Sequence, residues 1–206
     1  SELNAPALIA QMLVQRGVDS PDKVKKFFNP RIGDMHDPFL MKDMDKAIER
    51  IQLAQDNKEG VLIFGDYDVD GTTSVALAYS FFKDKFASID YYIPDRYREG
   101  YGISNAGIEY AKENGMSLII ALDCGIRSVD KVDYATSLGI DFIICDHHLP
   151  GKELPAAAAV LDPKRKDCEY PFKELAGCGI GLKIAQASVF YTHLTLQTTS
   201  ALKTYY

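Results

Sequence analysis

The sequence predicts an α/β protein in which a mostly parallel sheet has helices on both faces, preceded by a small helical N-terminal extension. After about residue 60, short apolar runs alternate with segments of helical periodicity, which is the pattern of βαβ units. Such units cross over in a right-handed sense and place helices on the two sides of one sheet. The preceding residues instead show helical spacing of their apolar side chains.

Three helices are expected in the N-terminal extension, residues 1–58. The first follows the apolar spacing in residues 3–16 and ends at Gly17. Ser20-Pro21-Asp22 has the composition of a helix N-terminus and begins a second, short helix. A third helix is expected over residues 43–56, where apolar residues recur on one face.

The α/β domain is expected over residues 59–191 and contains the strands of the sheet. Its first strand, 61–64, is a short apolar run typical of a strand buried on both faces. Residues 192–206 contain five threonines and no acidic residue, and we expect an atypical tail there. The remaining predicted strands are 89–93, 118–122, 140–145 and 158–161, and the predicted helices are 72–86, 104–114 and 128–138.

Composition excludes several classes of protein. The chain carries 23 basic and 29 acidic residues, a formal net charge of −6, which does not suit bulk binding of polyanions. No apolar run reaches the length of a membrane span, and the first residues do not resemble a signal peptide. The four cysteines form no CxxC pair, so we expect reduced thiols in a cytoplasmic protein and no structural zinc site.

Acidic residues and histidines follow three of the predicted strands. The first strand leads to Asp66, Asp68 and Asp70, the third to Asp123, and the fourth to Asp146-His147-His148. Ligands of open α/β sheets bind at the carboxyl ends of the strands, so these side chains should converge. Converging carboxylates repel one another unless a cation lies between them. Carboxylates with imidazole suit Mn²⁺ or Mg²⁺, and we expect one or two such ions.

Other interpretations of these residues stay open at this point. Asp-x-Asp-x-Asp-Gly also begins a calcium-binding EF-hand loop, but the twelfth position is Leu77 and a strand precedes the motif. Asp70 or Asp123 could serve only as a helix cap, and a pair of histidines is commonly a surface feature. Cys124 could be a nucleophile, although no general base is evident near it.

Basic residues that could meet a nucleic acid lie in two loops. Arg96 and Arg98 follow the second strand, beside Tyr97 and Tyr101. Guanidinium groups can meet phosphates while the aromatic rings stack on the bases of a single strand. The alternative is a solvated loop with partly buried tyrosines. Lys164-Arg165-Lys166 is a second candidate phosphate contact, with a solvated turn as its alternative.

These motifs together resemble the DHH phosphoesterase superfamily and, within it, the RecJ-like single-stranded-DNA-specific exonucleases. The superfamily pattern is Asp68-x-Asp70, an isolated Asp123, and Asp146-His147-His148. The resemblance extends over about residues 3–190. The RecJ-like segments are Phe28-Asn29-Pro30, His36–Met44, Gly65–Gly71, Glu99-Gly100-Tyr101-Gly102, Asp123-Cys124-Gly125 and Tyr170–Gly177.

The resemblance implies a two-metal catalytic site that holds Mn²⁺ or Mg²⁺. Asp68 would bind one ion and Asp70 the other, with Asp123 bridging both and His147 on the ion shared with Asp70. Asp66 is a further metal ligand by the same comparison, with a second-shell position as the alternative. His148 would be catalytic, meeting the scissile phosphate or assisting proton transfer. Asp146 would lie behind the ligands and orient His147 or the local turn.

The implied activity is 5′→3′ degradation of single-stranded DNA in DNA repair and recombination. Single-stranded DNA is then the substrate, and single-strand-binding protein and a helicase are the implied partners. Arg96, Arg98 and Tyr101 would contact the substrate. The alternatives are a phosphodiesterase of the same superfamily acting on short oligonucleotides or cyclic dinucleotides, an inorganic pyrophosphatase, or a non-catalytic scaffold that binds replication proteins.

The chain departs from the family pattern toward its C-terminus. A fourth metal-binding aspartate is not found before residue 192, and Asp162 does not match its position. A C-terminal substrate-clamping domain and an OB-fold are also missing. We therefore expect an N-terminal fragment, for which weaker binding of one ion and loss of catalysis stay open. On this view residues 192–206 are not native family sequence.

Overall fold

The computed structural model describes the backbone of residues 6–203 and the side chains of residues 6–191. The chain divides into two compact units, Ser1–Asp37 and Pro38–Tyr206. The described part of the first unit contains α1 (Ala7–Gln15), α2 (Pro21–Phe28) and a 3₁₀ turn at Ile32–Asp34. α2 begins after Ser20, whose hydroxyl accepts a hydrogen bond from the Lys23 amide.

The second unit alternates helices and strands, as the sequence predicts. A 3₁₀ turn at Pro38–Leu40 comes first. The elements that follow are α3 (Met44–Asp56), β1 (Gly60–Gly65), α4 (Val69–Phe82), β2 (Ser88–Tyr92), α5 (Asn105–Glu113), β3 (Met116–Leu122), α6 (Val129–Ser137), β4 (Asp141–Cys145), β5 (Ala159–Leu161) and α7 (Gly177–Lys203).

Two features differ from the sequence predictions. α3 belongs to the second unit, because its buried face joins the core of the sheet, whereas we expected the boundary at residue 58. α7 was not predicted at all, and its backbone continues to Lys203, into the segment where we expected an atypical tail. The last residues of that tail, 204–206, lie outside the described residues.

The five strands form one sheet in the order β2-β1-β3-β4-β5, and every pairing is parallel. The chain leaves β1 toward β2 on one side and returns to β3 on the other side of β1. The strand order therefore reverses between β1 and β3. This topological switch point is where open α/β sheets form their ligand-binding crevice.

Alternate residues of the central strands pack on opposite faces, which confirms the prediction of helices on both sides. Ile63 and Ile120 lie in a core formed with α3, α4 and α7. Their neighbours Leu62 and Ile119 lie in a second core formed with α5 and α6. The sheet is thus covered on both faces, and its carboxyl edge is the open part that can hold a site.

Two compositional expectations can be compared with the structure. The four cysteines are free thiols, and Cys124, Cys145 and Cys168 are buried. Among the described residues, no helix combines the length and the hydropathy that a membrane span needs.

Candidate metal centre

The candidate site lies in the crevice at the switch point. Asp66 directly follows β1, Asp123 directly follows β3, and Asp146 directly follows β4. Because the strands are parallel, their carboxyl ends bring these three residues to one edge. The convergence predicted from the sequence is therefore present.

Asp123 occupies the centre of the crevice. Its side chain is 2% exposed, its backbone has a φ of 60°, and its Oδ1 has no hydrogen-bond partner among the described residues. The Nε2 atom of His147 lies 3.0 Å from that oxygen without hydrogen-bond geometry. Burial, followed by the nearby carboxylates of Asp70 and Asp68, raises the pKa of Asp123 to about 8. Neighbouring carboxylates therefore surround this oxygen, and a cation bound here would relieve their repulsion.

Asp68 and Asp70 begin α4 and face the same crevice. Asp68 caps the helix by accepting a hydrogen bond from the Gly71 amide at 2.9 Å. Asp70 accepts hydrogen bonds from the amides of Gly177 and Cys178, at 2.7 and 2.8 Å. Burial acts to raise the pKa of Asp70, but these amides outweigh it and the pKa is lowered. Asp70 is therefore held ionised by the start of α7.

The two histidines relate differently to the acids. The Nε2 atom of His147 lies 3.6 Å from Oδ2 of Asp70 as well as near Asp123. His147 therefore connects the end of β4 with the segment of residues 66–70 between β1 and the start of α4, here called the α4 loop. The ring of His148 instead contacts Asp146, whose Oδ1 lies 2.7 Å from His148 Nδ1. The same oxygen accepts hydrogen bonds from the His147 and His148 amides. Asp146 thus fixes the turn and the His148 ring, while its bond to His147 is to the backbone only.

Asp66 is buried under the α4 loop. Its side chain is almost fully enclosed, and its Oδ1 has no hydrogen-bond partner among the described residues. Burial raises the pKa of Asp66. A Cβ on Gly71 would lie 2.3 Å from the Asp66 carbonyl oxygen, so glycine is required where the loop turns back over this residue.

Tyr101 is the one predicted substrate residue that contacts the site. Its hydroxyl lies 3.2 Å from His148 Nε2, and burial followed by Asp146 and Asp66 raises its pKa. The loop is held by Glu99, which accepts hydrogen bonds from Tyr92, Ser104 and the Asp95 amide. Tyr101 therefore has a fixed place beside the histidines.

The predicted basic residues are not all where a phosphate could reach them. Arg96 lies over the Tyr67 ring at 5.3 Å, and Arg98 is exposed, with neither in contact with the described site residues. Arg165 is buried between the carboxylates of Asp43 and Asp167. The interpretation of Arg165 as a phosphate contact is therefore wrong.

The residues present fit a divalent cation. One donor atom each of Asp123, His147 and His148 lie within 4.8 Å of one another. Among the described residues, Oδ1 of Asp66 and Oδ1 of Asp123 have no hydrogen-bond partner, so both are available as hard oxygen ligands. Oxygen atoms with imidazole nitrogen match Mn²⁺ and Mg²⁺.

Two alternatives from the sequence do not fit this arrangement. The acidic loop lies between β1 and α4 rather than between two helices, so it is not an EF-hand. Cys124 is 1% exposed and burial raises the pKa of its thiol, which disfavours the thiolate that a nucleophile needs.

Gly177 belongs to the site but was not identified from the sequence. A Cβ at this position would lie 2.7 Å from Asp123 Oδ1, so only glycine lets the α7 amides approach the crevice. The available signal was the regular spacing of Gly177, Gly179 and Gly181, which does not by itself indicate a ligand site.

Comparison with known proteins identifies the family to which most of this chain is similar. A family model described as "DHH family, N-terminal domain" matches residues 60–204. Its match extends into the segment that we expected to be foreign to the family.

Curated relatives are named single-stranded-DNA-specific exonuclease RecJ. The protein of Bacillus subtilis is 44% identical over 186 residues, which cover 90% of this chain and 24% of the relative. That of Escherichia coli is 36% identical over 194 residues, covering 94% of this chain and 32% of the relative. The chain therefore spans about a quarter to a third of the length of these relatives.

Solved structures show the same fold. An exonuclease RecJ bound to manganese is 28% identical, with a TM-score of 0.64, and the match covers 72% of this chain and 37% of that one. The RecJ of Thermus thermophilus in complex with Mn²⁺ is 21% identical, with a TM-score of 0.67 over 88% of this chain and 24% of that one. The second likeness supports the fold alone.

Proposed function

Because the chain belongs to the DHH family, we propose that it carries the metal-dependent phosphodiester-hydrolysing centre of a 5′→3′ exonuclease specific for single-stranded DNA. One observation carries the proposal: the buried, partnerless Oδ1 of Asp123 faces His147 among the acidic side chains of two further strand ends. A buried carboxylate of this kind is costly unless a cation neutralises it. The polarity of cleavage and the role in DNA repair and recombination are what the resemblance of the motifs implies, and they are part of this proposal.

Mn²⁺ or Mg²⁺ would be held by the acids of the α4 loop, by Asp123 between them, and by His147. The carboxylates of Asp66 and Asp123 are buried, whereas Asp68 is exposed and Asp70 is partly exposed at the start of α4. When bound, a pair of such ions supplies a nucleophile at neutral pH and charge neutralisation for the phosphate. The proposal includes two bound ions in the full-length protein.

The chain's own residues supply orientation and proton transfer. The Asp146 carboxylate accepts a hydrogen bond from Nδ1 of His148. The Nε2 atom of His148 is therefore directed toward the Tyr101 hydroxyl and the open crevice. From there Nε2 can hydrogen-bond a phosphate oxygen or exchange a proton with the leaving group. Tyr101 limits where that phosphate can lie. Arg96 and Arg98 remain substrate contacts of the proposal, for phosphates further along the strand.

The remaining expectations belong to the same proposal. The four free thiols suit a cytoplasmic enzyme. Single-stranded DNA is the substrate that the names of the relatives suggest. Single-strand-binding protein and a helicase stay predicted partners.

The test is the release of nucleotides from a 5′-labelled single strand with Mn²⁺, Mg²⁺ or EDTA. We expect release only with a metal, and a loss of several orders of magnitude in Asp123→Asn, which removes the central negative charge at nearly constant volume. Asp133→Asn is the matched control, since Asp133 is an exposed acid of α6. Mn²⁺ affinity of the same variants, measured by calorimetry, separates metal loss from a loss of chemistry.

Three outcomes would contradict the proposal. Release that persists in EDTA excludes a metal-dependent centre, and near-normal release by Asp123→Asn excludes the central role of this residue. Normal Mn²⁺ binding without release from any single strand would favour the scaffold interpretation for this chain.

A further inference from the structure

A cleft opens beside the histidines, next to Tyr101 and Gly102. It has a volume of about 640 Å³ and begins at His147 and His148. Its walls come from the Tyr101 loop, from the β3–α6 connection and from Leu149. The cleft therefore connects the candidate metal centre with solvent along one direction.

Three basic side chains from separate segments line this cleft. Arg127 precedes α6, Lys131 lies in its first turn, and Lys164 follows β5. The Nε atom of Arg127 donates to the Leu149 carbonyl at 2.7 Å, and no described carboxylate forms an ion pair with its guanidinium. Arg127 is thus held in position while the rest of its guanidinium can meet an anion.

The two lysines have only weak counter-charges. The Nζ atom of Lys131 donates to Asn105 Oδ1 at 2.9 Å and lies 3.6 Å from the exposed Asp130. The Nζ atom of Lys164 lies 3.5 Å from Glu174, whose side chain is 75% exposed. Solvent-exposed pairs of this kind contribute little and can exchange for a phosphate.

The positive lining continues into a second cleft. This cleft, of about 890 Å³, shares Leu149 and Lys164 with the first and adds Lys152 and Lys166. Asp167, the acid on its wall, is paired with Arg165. In a chain with a net charge of −6, this continuous basic path is a local exception to the overall charge.

We propose that the two joined clefts hold the sugar–phosphate backbone of a nucleic acid strand, with Arg127, Lys131 and Lys164 contacting successive phosphates beyond His148. The inference rests on the proposed function and adds to it the direction in which the strand leaves the metal centre. The exposed side chain of Leu149 gives sugars and bases an apolar surface to pack against.

The test is binding of a fluorescein-labelled oligothymidylate of about 20 nucleotides in EDTA, where hydrolysis cannot occur, over a range of salt concentrations. We compare the unaltered chain with the triple variant Arg127→Gln, Lys131→Gln, Lys164→Gln. The control is Lys58→Gln, Lys83→Gln, Lys112→Gln, which removes the same charge near the amino ends of the strands. Far-UV circular dichroism checks that all three proteins are folded.

We expect the triple variant to bind about tenfold more weakly, with a slope of log K against log[salt] smaller by about 2, since each phosphate contact on a single strand contributes about 0.7. The control should match the unaltered chain. Equal affinity and slope in the two variants, or no measurable binding by the unaltered chain at low salt, would overturn the inference. Loss of binding in the triple variant without any metal-dependent release by the unaltered chain would leave the inference standing and overturn the proposed function.

Discussion

Asp146 holds the imidazole of His148, with 2.7 Å between Oδ1 and Nδ1, while the adjacent His147 turns toward Asp123 instead. Two neighbouring histidines at the end of one strand thereby face different partners. A carboxylate behind an imidazole fixes both its tautomer and its orientation, so Asp146 and His148 should act as one unit.

We therefore predict that Asp146→Asn and His148→Gln each lower the rate of hydrolysis by about 10²-fold or more, with little change in Mn²⁺ affinity. The double variant should be about as slow as the slower single variant, because the two residues serve the same step. The measurement is kcat for a short single strand, with calorimetry for the metal. Losses that multiply in the double variant would show that the two residues act independently.

The start of α7 should be sensitive to a single methyl group. Gly177→Ala places a Cβ 2.7 Å from Asp123 Oδ1, so we predict that Asp123 is displaced and that Mn²⁺ affinity falls about tenfold or more. Gly181→Ala is the control in the same helix, since its Cβ would meet Leu122 at an ordinary 3.5 Å. Equal Mn²⁺ affinity in the two variants would contradict the role assigned to Gly177.

Asp162 should make the stability of the protein depend on pH. It is fully buried at the end of β5, its Oδ2 has no hydrogen-bond partner among the described residues, and burial raises its pKa to about 7. The folded state holds this proton up to a higher pH than the unfolded state does. Stability is therefore lost as the pH rises from about 4 to about 7, by an amount on the order of a few kcal/mol.

Asp162→Asn removes the ionisable group and keeps an oxygen for the Lys164 amide. We expect a higher Tm than that of the unaltered chain at about pH 8 and a similar Tm at about pH 4, both in EDTA. The exposed Asp84→Asn serves as the control. A constant difference in Tm across this pH range would mean that Asp162 does not titrate as described.

Arg165 should matter for stability rather than for substrate. Its guanidinium is buried and lies 2.7 Å from Asp167 and also against Asp43. Arg165→Gln removes the ion pair with Asp167 and one of the two ion pairs of Asp43, which keeps Lys46 at 2.9 Å, and we predict a loss of about 3 kcal/mol in the free energy of unfolding by urea. The neighbouring, exposed Lys166→Gln should change it by less than about 0.5 kcal/mol. Equal effects of the two substitutions would contradict the buried role of Arg165.

The sequence predicted those site residues that directly follow a strand. Asp66, Asp123 and Asp146 each end an apolar run, and parallel pairing alone brings such positions to one edge. Which histidine Asp146 orients could not be predicted, because the turn after β4 decides the direction of each ring. The buried state of Arg165 depends on Asp43, which is distant in sequence and therefore invisible to local patterns.

α7 escaped prediction for a physical reason. Its first two turns contain Gly177, Gly179 and Gly181, residues that weaken a helix in isolation. Its contacts with α4 and with the buried face of the sheet supply the stability that local propensity lacks. The first of these glycines, Gly177, lets the amides at the start of the helix reach Asp70, so one of the residues that hid the helix also places it in the site.

The parallel order of the sheet also affects how the protein folds. Gly65 pairs with Leu122, and Leu122 with Cys145, so the ends that bear the acids meet only after long stretches of chain have been closed into loops. Non-local pairing of this kind gives a high contact order and slow folding. The cation-binding geometry forms only when these strand ends have paired. A divalent ion that binds the folded state alone should therefore stabilise that state once refolding is complete.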